Sequence, residues 1–486
     1  MAKSAAKIND ILKRAQVAMQ HEHFGSALVL YKRAYALDKN NHSIMFRLGH
    51  VLVTAGFGDE AVEVLKRAVK KKPGHIDSLL LLSNAQLLTG DIDGMHASLS
   101  KALTWDPSHG YTVLTKVEAF LDSGMIEEAR EVLESIEALA APHEFVWMAR
   151  ARYARDTKAY GEAVDIYERL IGDTELSESC KRSATYEYGT VLDKMGEYDR
   201  AFELFSRANA GHIEGKTAHL ESLQKTWTPE VLAGLPRSTV QDERAVMIAG
   251  MPRSGTTLIE RVINAHAMGA SVGECPLLLQ MRARTMVGNL DQEKIDSYAR
   301  EYLDLLDARV GSEPARVVDK HMGSEKDLGL VSCVLPGVRV IQALRDPRDC
   351  CLSSYFQNFG TNVPYSRDLG MLGRQYVVYR EMMEYWKEHL DIPVFVNVYE
   401  EFVSDSERHT RSLLSFLGLE FDEACLRFYE NKEHVNTRSS MQVQKPIYQS
   451  SKQRWRNYEK HLGPLLDALG VYADGVNAEQ GIWSGA

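Results

Sequence analysis

The chain reads as two folds in series: an all-α solenoid, then an α/β domain whose parallel sheet is flanked by helices. Three observations carry that reading. Small residues recur every 34 positions through the first 210 residues. Near the middle an apolar run meets a glycine turn and passes into a helix-spaced stretch, Ala245-Val-Met-Ile-Ala-Gly-Met-Pro-Arg-Ser-Gly-Thr-Thr-Leu258. Beyond it, short apolar runs alternate with longer helical stretches, the pattern of parallel strands joined by helices.

The repeats come first. Ala27, Ala61, Met95, Ala129 and Ala163 are 34 residues apart, and Ala34, Ala68 and Ala102 keep the same period. Gly56, Gly90 and Gly124 each precede a member of the first series by five residues, where a turn would join two helices. Pro73 and Pro107 come twelve residues after it, where a helix should stop. After a four-residue slip, Gly196, Ala201 and Ala208 restore the pattern. A 34-residue helix-turn-helix period with small residues at the helix crossing is the tetratricopeptide signature. It predicts about six repeats within a solenoid over residues 1–214, each burying its apolar face against its neighbours. Such an array either holds a polypeptide partner or only supports, or dimerises, the second domain.

Residues 215–244 read as a linker. Thr228-Pro229-Glu230 marks a helix start and Gly234-Leu-Pro236 a stop. The catalytic candidate is then 245–486. A net charge of −10 argues against a general nucleic-acid surface. No apolar run is long enough to span a membrane, and the N-terminus lacks the apolar core of a signal peptide. Six cysteines without metal-finger spacing point to free thiols, a reducing cytoplasm and no metal.

The central turn is an anion site by construction, because unpaired N–H groups and a helix dipole converge there. Gly250-x₄-Gly255 has P-loop spacing, but Thr256-Thr257 stands where a nucleotide triphosphatase carries Lys-Ser/Thr. Arg253 supplies the charge instead, which suits an anion handled without a metal. A second strand, Gly337 to Leu344, leads to Arg345-Asp-Pro-Arg-Asp-Cys-Cys-Leu-Ser353. An Arg at a strand end and a Ser near a helix start are good phosphate donors. Lys320 closes the run Arg316-Val-Val-Asp-Lys320, at a strand end where parallel sheets place ligand-facing residues. Glu274 lies in Ser271-Val-Gly-Glu274, from which the chain could return to the loop. His321 is a rival base, but neighbouring strand residues face opposite ways, so Lys320 and His321 should not both reach the site. The same alternation demotes Asp319.

Pro-Arg-Ser-Gly-Thr-Thr, with Arg345 and Ser353 at their spacing, resembles the bacterial tetratricopeptide-repeat sulfotransferases, whose catalytic domain is similar to that of tyrosylprotein sulfotransferases. The resemblance covers roughly residues 245–469. It implies 3′-phosphoadenosine-5′-phosphosulfate (PAPS) as co-substrate and no metal. Arg253 and the N–H groups of Ser254, Gly255, Thr256 and Thr257 would hold the phosphosulfate, and Arg345 and Ser353 the 3′-phosphate. Lys320 would touch the group transferred and Glu274 act as base, with the register uncertain by one residue because Cys275 comes next. Tyr399, after the strand Val394–Val398, and Ser451 and Arg454 in the segment Lys445 to Tyr458 are further implied cofactor contacts. Trp455 and Tyr458 of that segment are expected to pack rather than stack on adenine. One departure concerns the acceptor: the tyrosyl enzymes carry arginines just after the catalytic Glu, whereas Cys275-Pro-Leu-Leu-Leu-Gln280 stands here and Arg282 and Arg284 come later.

The expected activity is sulfuryl transfer to a hydroxyl, first a protein or peptide tyrosine. A saccharide or small-molecule acceptor is the alternative within the same chemistry. A homodimer stays open. Two other classes stay open as well: a nucleotide kinase, and a scaffold with an inactive nucleotide-binding domain.

Overall fold

The computed structural model describes residues 2–20, 24–136, 144–211, 220–275, 277–283, 285, 287–321, 323–360, 363–430 and 452–475. They form two compact units, dividing after Leu204. The division expected at 214 lies in a stretch outside the described residues. Residues 205–209 group with the second unit because Phe205 stacks on Phe356 and Asn209 Nδ2 donates to the Tyr355 carbonyl.

In the first stretch of chain the helices come in pairs: α1 (Ala2–Gln20) with α2 (Phe24–Leu37), α3 (His42–Thr54) with α4 (Gly58–Lys71), and α5 (Ile76–Leu88) with α6 (Ile92–Trp105). Next are α7 (Gly110–Asp122) with α8 (Ile126–Ser135), α9 (Glu144–Asp156) with α10 (Tyr160–Gly172), and α11 (Glu178–Lys194) with α12 (Tyr198–Asn209). The 34-residue series marks the crossings. Ala27, Ala61, Ala102, Ala129 and Ala163 have no exposed surface. At Gly49 of α3 the approach to α4 is so close that a Cβ would fall 2.5 Å from Leu65. Gly56, Gly90, Gly124 and Gly196 all take φ between +72° and +82° and make the turns. In the fifth pair the same turn position holds Lys158, which adopts φ +65° without being glycine.

Beyond the end of α12 the second unit continues with α13 (Leu220–Thr226) and α14 (Pro229–Gly234). The extended residues after them are bound to the domain rather than free: Asp296 accepts from Ser238 Oγ, Thr239 N and Thr239 Oγ1, and Trp227 is buried against Gly329. The remaining elements are β1 (Ala245–Gly250), α15 (Thr256–Asn264), β2 (Gly269–Gly273), α16 (Leu277–Ala283), α17 (Gln292–Val310), β3 (Arg316–Asp319), α18 (Leu328–Val334), β4 (Arg339–Leu344), α19 (Pro347–Tyr355), α20 (Leu369–His389), β5 (Val394–Val398), α21 (Tyr399–Ser404), α22 (Ser406–Leu417) and α23 (Gly463–Leu469). The five strands make one parallel sheet in the order β2-β3-β1-β4-β5. The central strand is Val/Ile/Met-rich and buried on both faces, as a covered parallel sheet requires. One face packs on α15, α21 and α22 through Ile259, Val262, Phe402, Leu413 and Leu417. Chain order reverses between β1 and β4, so a crevice opens at their C-terminal ends, where ligands of open α/β sheets bind.

Candidate functional site

Two loops meet in that crevice. After β1 the chain turns through Pro252, Arg253 at φ +71° and Gly255 at φ +98° into α15. Gly255 caps the helix with no side-chain bond, so the first turn keeps its dipole end open. A side chain at Gly255 would strike the Tyr399 ring, whose Cδ2 lies 2.9 Å from the Cβ position. From the other side Arg345 and α19 grip the loop carbonyls: Ser354 Oγ donates to Pro252 O at 3.1 Å and Arg345 Nη1 to Arg253 O at 3.0 Å. Within the turn Ser254 N donates to Met251 O at 3.1 Å, so that N–H, expected from the sequence to hold the anion, is already engaged. Ser254 Oγ lies buried in the turn with no hydrogen-bond partner among the described residues, an orphan that an anion's oxygen would satisfy.

The residues expected to hold two separate phosphates are in fact neighbours. Arg253 Nε donates to Ser353 Oγ at 3.0 Å. Arg345, buried, stacks its guanidinium 4.7 Å from the centre of the Tyr399 ring. Glu400, next along, accepts from Asp346 N at 3.1 Å and so fixes the start of α19. Burial raises the pKa of Glu400, against the pull of that N–H bond.

At the end of β3, Lys320 is 4% exposed, and its Nζ stands 3.1 Å from Glu274 Oε1 and 3.6 Å from Glu260 Oε2. Glu274 keeps 43% of its side chain in solvent, whereas Cys275 is fully buried with its thiol pushed by burial to about 12. The Glu274 carboxylate thus stands partly in solvent beside the Lys320 ammonium. Lys320 and His321 do diverge. His321 lies buried between Asp327, whose Oδ2 is 2.9 Å from Nε2, and Asp319, whose Oδ1 is 3.6 Å from Nδ1. Burial alone would lower the imidazole pKa; the two carboxylates outweigh it and raise it to about 10. Held between two carboxylates and turned from Lys320, His321 is poorly placed to take a proton from an acceptor at that crevice. Asp319 is engaged too, accepting from Tyr302 Oη at 3.1 Å.

Residues 245–423 match the model of the sulfotransferase family, and residues 12–76 that of the tetratricopeptide repeat. The chain carries a sulfotransferase-family domain behind a tetratricopeptide array. An uncharacterised protein of Aquifex aeolicus (strain VF5) is 30% identical over 452 residues, which cover 87% of this chain and 58% of that one. The protein-tyrosine sulfotransferase of Drosophila melanogaster is 24% identical over 241 residues, 43% of this chain and 46% of that enzyme. The chain thus spans about half the length of these relatives. Among solved structures, the sulfotransferase domain of the Synechococcus PCC 7002 olefin synthase aligns with a TM-score of 0.36 and 18% identity, over 46% of this chain and 90% of that one.

In the sulfotransferase-family domain, Asp349 of α19 receives Gln453 N at 2.6 Å and Trp455 N at 2.8 Å and so anchors the C-terminal segment. Trp455 and Tyr458 are buried, the former under Arg348, so both pack as expected. The Arg454 guanidinium lies 5.3 Å from the centre of the Phe356 ring. Ser451 and Arg284 lie outside the described residues. Arg282 pairs with buried Asp327 at 2.7 Å. Sequence reasoning missed Glu260, Asp349 and Ser354. The first could have been noticed as a carboxylate inside the helical spacing of Leu258, Ile259, Val262 and Ile263.

Proposed function

We propose that this protein is a PAPS-dependent sulfotransferase whose acceptor is a hydroxyl, foremost a tyrosine in a protein or peptide. One observation carries the reading: Arg253, Arg345 and Ser353 converge beside the uncapped start of α15, with Lys320 and Glu274 paired at the adjoining strand ends. When bound, PAPS would supply the sulfuryl group from its phosphosulfate anhydride, whose S–O bond to the 5′-phosphate breaks as the acceptor oxygen bonds the sulfur, with adenosine 3′,5′-bisphosphate as leaving group. Arg345 and Ser353 hold its 3′-phosphate, and Arg253 with the N–H groups of residues 255–257 holds its phosphosulfate. The buried orphan Ser254 Oγ fits an anion oxygen there. Glu274, half in solvent, takes the acceptor's hydroxyl proton, and Lys320 steadies charge on the oxygens of the group in flight. Fixed cations in the crevice act without reorganising, which is where most of the acceleration should come from.

The tyrosine acceptor draws on the Drosophila enzyme's name and on a solenoid suited to holding a polypeptide. The six cysteines, all buried and free of disulfides, suit a reducing cytoplasm.

Calorimetric titration with adenosine 3′,5′-bisphosphate tests the reading, beside Arg345→Ala and an ATP control. Tight binding should fall by on the order of 2–5 kcal/mol in the variant if a buried phosphate contact is lost. No binding, or equal binding of ATP, would sink the PAPS assignment. Glu274→Gln should keep the bisphosphate affinity and lose turnover; retained turnover would remove Glu274 as the base.

A further inference from the structure

Glu260 is a carboxylate on the buried face of α15, among Ile259, Val262 and Ile263, and only 1% exposed. Its Oε1 accepts from Ser271 Oγ at 2.6 Å. That hydroxyl in turn accepts from Gly273 N at 2.9 Å, one residue before Glu274. Glu260 Oε2 is buried, has no hydrogen-bond partner among the described residues, and faces Lys320 Nζ at 3.6 Å. A buried carboxylate oxygen left without a hydrogen bond is costly, and replacing a buried ion pair by apolar side chains is often neutral or stabilising. A Leu or Met at this place would therefore be the cheaper choice for the fold alone.

What the carboxylate adds is orientation. With Glu274 as its only counterion, the Lys320 ammonium would be drawn wholly toward the solvent-facing side. A second carboxylate behind it divides that attraction, while Ser271 ties Glu260 to the strand that delivers Glu274. We propose that Glu260 is a positioning residue, which holds Lys320 where it can meet the transferred group and itself touches no substrate. This rests on the sulfotransferase reading above.

Two measurements on the full chain test it. The first needs no ligand: urea unfolding of the wild type, Glu260→Gln, Lys320→Met and the double variant. Glu260→Gln should lower the midpoint in the wild type and raise it in the Lys320→Met background, where it removes a buried charge without a counterion. Equal shifts in both backgrounds would overturn the pairing. The second compares affinities for PAPS and for adenosine 3′,5′-bisphosphate, which lacks the sulfuryl group. Glu260→Gln should weaken PAPS binding about tenfold and leave the bisphosphate unchanged, as Lys320→Met should. Equal loss for both nucleotides would make Glu260 a support of the loop and overturn the positioning role. If the wild type binds neither nucleotide, the sulfotransferase reading fails, and the unfolding cycle still decides the pair.

Discussion

Buried between Asp319 and Asp327, the His321 imidazole shows how pairing can reverse the effect of burial. Its pKa in the fold is about 10, against about 6.5 when unfolded. A raised pKa contributes stability that is complete below the unfolded value and fades as pH climbs toward the folded one. At pH 7 the contribution is on the order of a few kcal/mol, since a tenfold change in proton affinity is worth about 1.4 kcal/mol. The urea midpoint of the wild type should exceed that of His321→Gln at pH 7, and the gap should narrow steadily up to pH 10. A gap that stays constant over that range would mean the imidazole is neutral, and would make it a candidate base again. Glu274 and Cys275 make the complementary point. The sequence names Glu274 but leaves its register uncertain by one residue, and the fold adds that its carboxylate is partly in solvent beside Lys320 while Cys275 is buried.

Helices and loops show which local signals were legible. The glycine turns of the solenoid keep the 34-residue period, and the period also explains Lys158, which takes the left-handed conformation because its neighbours are fixed by the repeat. Such a conformation costs a non-glycine residue about 1–2 kcal/mol. Lys158→Gly should therefore stabilise the array, by about 0.5–1 kcal/mol after the added chain entropy of glycine is subtracted; a thermal melt reads it. In the second unit α19 works at both ends of the site. Pro252 and Arg253 are tied by Ser354 and Arg345, and the 453–455 backbone by Asp349. Burial raises the Asp349 pKa, against the two N–H groups that favour its charged form. Asp349→Ala should cost about 1–3 kcal/mol from the unsatisfied donors. It should also speed hydrogen exchange in 453–462 more than in β1; uniform exchange would show that the carboxylate is not the anchor.

At the scale of the molecule, the two units have separate cores, one built on Ala61, Leu65 and Leu82, the other on Ile248, Ile259 and Phe402. A ligand stabilises only the fold that binds it, by about 2.7 kcal/mol at a hundredfold excess over Kd. In scanning calorimetry, adenosine 3′,5′-bisphosphate should raise the transition of the second unit alone. Gly49→Ala, which forces a Cβ against Leu65, should lower that of the solenoid by about 1–3 kcal/mol without changing nucleotide affinity.

The division between what could be read and what had to be seen comes from the range of the interactions. Tetratricopeptide register, the anion loop at 250–257 and the strand-to-helix turn at Arg345 are contiguous patterns, because helix period, glycine turns and dipole ends are local physics. That Arg253 bonds Ser353, that Lys320 stands between Glu274 and Glu260, and that His321 lies between Asp319 and Asp327 all depend on side chains brought together by the fold. Those meetings are set by the strand order β2-β3-β1-β4-β5 and by burial, and a charge's state depends on its surroundings, which no single stretch of sequence contains.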